Sequence, residues 1–477
     1  MSQAASVPFP APQPAASTAA PSPAVARIDP RTRLLLEAPI TPTLLRLAAP
    51  NVQVMVLQAS VGLIETYFVG RLGTDALAGL ALVFPVMMLM QMMSAGAMGG
   101  GMSGAVARAL GGGRRPDADA LVLHALAIAV VMGLAFTAAV LGGGRWLYAE
   151  LGGAGASLAA AVTYSTVAFA GAILVWLYNT LASVIRGTGN MAVPAIVTVI
   201  GTALLIPLSP ALIFGWGPFP ALGIVGAGVA FLCFYIAGSL ALAAYIWSGR
   251  SVLRPGLHGR GFRWPLFSDI LGVGGLAAIN TVQTNLTIAV ATALVGRFGP
   301  AAIAGYGTGA RLEYLLIPLV FGLGGPLVAM VGTNIGAGRR ERALRAAWIG
   351  AAVATGLCEL IGLAAATWPR AFLSLFDTDP MMLDAGSHYL RVVGPLYGLF
   401  GLGMALYFAS QGAKRLMWPV LANFVRLLIA TVGAWLALHL GGNLTHVFVA
   451  QGIALAAFGL ITAGVVARSG WRGAEGK

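Results

Sequence analysis

The chain has 477 residues, 58% of them hydrophobic and only 9% charged, against about 25% charged in soluble globular proteins, which excludes a water-soluble fold. The net charge of +13 invites a nucleic-acid reading, but 21 of the 28 Lys and Arg fall on alternate loops and the tails, against four on the other side (Arg71, Arg145, Arg297, Arg370). That asymmetry is the positive-inside pattern of a multi-pass membrane protein, with both termini cytoplasmic, lipid around it and no nucleic-acid partner.

Residues 1–33 are mostly Ala, Pro and Ser and read as a disordered cytoplasmic tail, with no cleaved signal peptide. Apolar blocks of about 20 or more residues follow, the length that crosses a hydrocarbon core of about 30 Å as helix, and no short alternating segments of a barrel occur. They predict an all-α polytopic fold of twelve spans: 44–69, 76–104, 119–142, 157–185, 191–214, 223–247, 268–295, 302–332, 346–368, 387–410, 416–440 and 445–467. The spans divide into an N-terminal six-helix lobe (34–247), a basic cytoplasmic loop (248–267), a C-terminal six-helix lobe (268–467) and a short cytoplasmic tail (468–477).

The first span carries Asn51, Gln58 and Glu65, and a spacing of seven keeps them on one face with about 20° of drift per step. An acid at the centre of a spanning helix costs roughly 2.5–3.5 kcal/mol, so Glu65 is the leading candidate for a coupling-ion ligand, with Gln58 and Asn51 beside it. The alternative is that the stripe only bonds neighbouring helices. In the second span methionines crowd ahead of a glycine run, and Met88 and Met92 are candidate cavity residues because thioethers adapt to varied apolar ligands. The run Gly96 to Gly104 lacks a Gly-Lys-Ser/Thr ending, which argues against an ATP-driven machine. Tyr178 and Asn179 in the fourth span are further cavity candidates. Asn280, Gln283 and Thr287 share one face of the seventh span and either line the cavity or join helices. Glu313 follows Arg311 by two, too close to meet it on a helix, so it is either a structural ion pair with another span or a second protonation site, also facing the cavity. Glu359 in the ninth span reads as idiosyncratic. Cys233 and Cys358 lie in separate apolar blocks and indicate neither a disulfide nor a metal site.

The halves repeat. Val69-Gly70-Arg71-Leu72-Gly73 recurs as Val295-Gly296-Arg297-Phe298-Gly299 at an offset of 226, and Gly111 to Arg115 recurs as Gly336 to Arg340 at 225, as do Gly187 and Pro194 as Gly412 and Pro419. Six spans per copy is an even number, so both copies enter from one side and the repeat is parallel, about an axis along the membrane normal. The acids are not shared: Ala291 matches Glu65, and Met88 and Leu134 match Glu313 and Glu359.

Four segments carry a resemblance to the multidrug and toxic compound extrusion (MATE) family: Ile64 to Gly73; Arg186-Gly187-Thr188-Gly189-Asn190 with Pro194; Leu212 to Gly215 with Ala221-Leu222-Gly223 and Gly226-Ala227; and Arg311-Leu312-Glu313 through Val331-Gly332, Asn334 and Gly336-Ala337-Gly338. The resemblance implies two parallel-repeat lobes around a central cavity that opens alternately to each side. It also implies export of cationic or amphiphilic small molecules against inward protons or sodium ions, by a monomer that is not an enzyme and holds no cofactor. Glu65 falls where the family commonly has an acid in its first helix. Where relatives often have an Asn and an Asp ahead of a Pro in the fifth helix, this chain has Leu205 and Ser209, so Ser209 is the one polar candidate left there. Sodium needs several converging oxygens, and their scarcity favours the proton. A lipid-linked precursor flippase is the alternative, for which the membrane interior offers only Arg311, Arg391 and Arg426.

Overall fold

The computed structural model describes residues 29–256, 261–376 and 378–471, and the regular elements among them are all helical. Most of the tail read over 1–33 lies outside the described residues, but its end does not. Pro30–Glu37 forms a helix (α1), begun by Asp29, whose carboxylate accepts the Arg31 N–H at 2.9 Å, and by Pro30 in the first turn. Its Leu35 and Leu36 are buried, which is why this stretch folds rather than trailing in solvent.

The twelve spans follow as α2 (Ile40–Gly70), α3 (Thr74–Gly111), α4 (Arg115–Glu150), α5 (Gly155–Ala170 and Ala172–Gly187, bent by 49°), α6 (Ala192–Phe214), α7 (Ile224–Trp247), α8 (Trp264–Phe298), α9 (Pro300–Gly336), α10 (Arg340–Thr367), α11 (Pro380–Gly412), α12 (Met417–His439) and α13 (Leu444–Ser469). The repeat is visible in their irregularities. Gly73 turns α2 into α3 at φ 119° and Gly299 turns α8 into α9 at φ 98°, a region open to glycine and strained for other residues. The break of α5 at Gly171 has its counterpart in the 3₁₀ turn Gly394–Leu396 inside α11. Within α3, Met92–Met98 winds as a π-helix, a local form frequent at functional positions.

Each lobe has its own apolar core, yet the cores exchange their entering segments. Leu35, Ile40, Leu44 and Ala48, from α1 and the start of α2, join the C-terminal core, while Leu266 and Ile270 at the start of α8 join the N-terminal one. The loop between the lobes is strapped to α4: the Arg254 N–H donates to Asp119 at 2.7 Å, the Arg263 guanidinium pairs with Asp117 at 2.8 Å, and the Arg263 N–H donates to His124 Nε2 at 2.8 Å.

The close approaches between lobes cluster at the end that carries the basic loops. A Cβ on Gly111 would sit 2.0 Å from the Thr333 carbonyl oxygen, and one on Gly336 would sit 2.1 Å from that of Arg108. These two contacts are images of each other under the repeat, so the pseudo-twofold axis passes between α3 and α9. Beside it the buried Arg108 donates to the Gly412 carbonyl at 2.8 Å and faces Asp269 at 3.1 Å; Lys414 pairs with the same carboxylate oxygen at 2.5 Å.

Candidate functional site

Glu65 points into the N-terminal lobe, where its Oε1 is buried and has no hydrogen-bond partner. The phenols of Tyr164 (α5) and Tyr235 (α7) lie within electrostatic reach of the carboxylate. From Tyr235 a chain of amides runs inward. Gln91 Nε2 donates to the Tyr235 hydroxyl, and Asn179 Nδ2 reaches Gln91 Oε1 at 2.9 Å and Ser94 Oγ at 2.8 Å. Ser94 belongs to the π-helical stretch of α3, whose Gly96 abuts Phe321 of the C-terminal lobe. Val61 packs against the small cluster of Leu205 and Leu212 (α6) with Ala230 (α7). Glu65 stands one turn beyond Val61, and on α6 the Ser209 Oγ is also buried without a partner among the described residues.

The stripe of three is divided among three surroundings. Asn51 is buried at the lobe interface, its Nδ2 3.7 Å from Met191 Sδ, whereas Gln58 is exposed. The reason is the course of α2, which leaves the C-terminal core in its first turns and joins the N-terminal lobe above. Tyr178 does not line an opening: it is buried against Phe234 and Tyr235, with its hydroxyl 2.6 Å from Thr198 Oγ1. Met88 is 41% exposed and Met92 half-buried.

In the other lobe Asn423 of α12 answers the seventh-span face, its Nδ2 standing 3.2 Å from Thr284 Oγ1, 3.3 Å from the Asn280 carbonyl and 3.5 Å from Gln283 Oε1. These amides therefore tie α8 to α12. Thr287 departs from the cavity expectation: it is buried, and its hydroxyl donates to the Gln283 carbonyl of its own helix at 2.8 Å. Glu313 accepts from the Tyr389 hydroxyl at 2.6 Å, with Tyr397 next in line at 3.5 Å and the buried Arg426 within electrostatic reach. Arg311 lies instead over the Phe376 ring at 5.3 Å, so the two residues find separate partners as their spacing requires. Glu359 accepts the Gly398 N–H at 2.8 Å beside the break in α11, a structural duty.

Tyr389 stands 225 residues after Tyr164, so each lobe aims one acid at the same tyrosine of the repeat, from α2 in one lobe and α9 in the other. Residue-by-residue reading missed Gln91, Tyr164, Tyr235 and Asn423. A lone amide in the Met-rich span and a tyrosine repeated at 225 were the available signals.

Two repeated six-helix lobes that meet at one end, each with an acid inside an apolar helix, are the architecture of a membrane transporter. The family model MatE matches residues 50–211 and 277–436, one stretch in each lobe, and the chain belongs to this family of multidrug and toxic compound extrusion transporters. Among similar proteins are the FAD transporter of Shewanella oneidensis, 30% identical over 83% of this chain and 87% of that protein, and the probable multidrug resistance protein NorM of Deinococcus radiodurans, 27% identical over 82% and 86%. A solved structure of a multidrug resistance MATE family transporter in an outward-facing conformation shares the fold with a TM-score of 0.79, over 91% of this chain and 96% of that one at 22% identity.

Proposed function

We propose that this transporter is a monomeric antiporter of the inner membrane that exports amphiphilic small molecules and is driven by protons exchanged at Glu65. The observation that carries the reading is the buried Glu65 oxygen, which among the described residues has neither a hydrogen-bond donor nor a neighbouring cation. An unpaired carboxylate costs several kcal/mol inside a protein, so it calls for a proton or a metal ion to neutralise it. On α6 this chain has Leu205 and Ser209 where relatives often have an Asn and an Asp, which leaves few oxygens for a sodium shell and favours the proton. The relay through Tyr235, Gln91, Asn179 and Ser94 leads from the acid to the lobe interface and supplies a route by which its charge state biases closure. Loop charge assigns the closed, basic end to the cytoplasm, so the conformation described is the one open outward.

The test is transport into proteoliposomes of a panel of dyes of both charges, under a pH gradient or a sodium gradient imposed separately. Transport under the pH gradient that Glu65→Gln abolishes is the expected result; transport driven only by sodium would replace the proton, and no movement of any dye would refute the antiporter. A flippase of lipid-linked precursors would gather arginines on its cavity. Here Arg311 packs over Phe376, Arg391 is exposed, Arg426 packs over Phe400 and Phe458 at 5.7 and 6.0 Å, and Arg108 faces Asp269, which leaves Arg186 standing singly at the lobe interface rather than in a cluster.

A further inference from the structure

Arg186 ends the polar face of α5. Asn179, Ser183 and Arg186 stand at i, i+4 and i+7, on one side of the helix. Asn179 is used by Gln91 and Ser94, but Ser183 Oγ is buried without a partner, and so is Arg186 Nε. Among the described residues Arg186 makes no hydrogen bond or ion pair, and the titratable group close enough to act on it is the Tyr178 phenol, with no carboxylate in reach. The side chain is enclosed by protein yet only half-buried, so water reaches its tip.

Its position is the lobe interface. A Cβ on Gly325 of α9 would lie 3.8 Å from Arg186 Cδ, with Asn51 Nδ2 and Met191 Sδ also adjoining. The repeat places Gln411 in the mirror position, against Gly100, and Gln411 Oε1 is likewise buried without a partner. Both lobes thus send one side chain to the interface between them, a guanidinium from one and a neutral amide from the other. A guanidinium presents a planar fork that matches carboxylate and phosphate, and one left without an acceptor in a protein interior invites an anion to complete it.

We infer that the exported amphiphile carries an anionic group, phosphate or carboxylate, which Arg186 binds at the interface between the lobes. The inference rests on the antiporter reading and narrows its substrate class away from the cationic compounds that the resemblance suggests. A cation would have to sit beside an unneutralised guanidinium; an anionic group answers the charge.

The full chain in vesicles of neutral lipid, under a pH gradient, is offered carboxyfluorescein and, separately, ethidium, each quantified after vesicles are separated from the medium. Wild-type protein is expected to move carboxyfluorescein in preference to ethidium, Arg186→Gln to lose at least tenfold of that transport, and Arg186→Lys to retain part of it, since lysine keeps the charge and loses the fork. Transport of ethidium alone, or carboxyfluorescein transport unchanged in Arg186→Gln, would overturn the inference and leave the antiporter standing. No transport of either dye would remove both readings. If Arg186→Gln fails to fold, carboxyfluorescein binding to detergent-purified Arg186→Lys decides: weaker binding than wild type by several-fold supports the inference and equal binding overturns it. Adding anionic lipid to the vesicles tests the other source of such a group. Inhibition of wild-type but not Arg186→Lys transport would assign Arg186 to a lipid headgroup and overturn its role in substrate binding.

Discussion

Gly111 and Gly336 offer a direct test of which end of the molecule is closed. A methyl group on Gly111 would lie 2.0 Å from the Thr333 carbonyl oxygen, and one on Gly336 2.1 Å from that of Arg108. Neither obstacle is the tip of a flexible side chain, so α3 and α9 must part by about 1 Å to admit an alanine at either site. Overpacking of this kind costs roughly 1–3 kcal/mol. The contact exists only while the lobes meet at the basic end, so the whole cost falls on that state, and the ratio of open to closed molecules at that end rises by roughly 5- to 150-fold. The assay is the distance between spin labels at position 114, on the loop that follows α3, and position 341, in the first turn of α10. Gly111→Ala and Gly336→Ala should both shift the distribution to longer separations. Gly272→Ala, where nothing lies within 4 Å, should leave it unchanged while gaining about 0.5–1 kcal/mol of helix stability. Distance distributions identical to wild type in both interface variants, with the folded protein intact, would refute the reasoning.

Glu65→Gln should abolish pH-driven transport with little loss of thermal stability, because the carboxylate has no partner to lose; a stability loss as large as the transport loss would make it structural. Glu359→Gln should leave transport near wild type, since an amide oxygen can still accept the Gly398 N–H. Tyr389→Phe removes the donor to Glu313 and should lower stability by about 1–3 kcal/mol, read from the unfolding midpoint in detergent. Leu35→Asp should detach α1 from the C-terminal core, expose sites near 30–37 to protease in folded protein, and raise opening at the basic end in the same distance assay. Cysteine introduced at Ser248 should react with an impermeant thiol reagent only in inverted vesicles; reaction from outside intact cells would reverse the assignment of sides.

The span count, the parallel repeat and the placing of Glu65 inside an apolar helix were legible in the linear chain because each depends on a local cost. An apolar block of bilayer length, a glycine forced to positive φ at the same place in each half and an acid inside an apolar helix declare themselves without knowledge of neighbours. What surrounds each polar residue was not legible, because it depends on which helix packs against which. Asn51, Gln58 and Glu65 share a helical face, yet α2 crosses from one lobe's core to the other and gives each a different environment. Thr287 keeps its hydrogen bond within its own helix, and Tyr164 and Tyr389 turn toward acids that come from non-equivalent spans. Arg186, read as one more loop-end charge, became the unneutralised cation at the lobe interface only once α9 was laid against α5, since burial and the absence of an acceptor are properties of the packed pair.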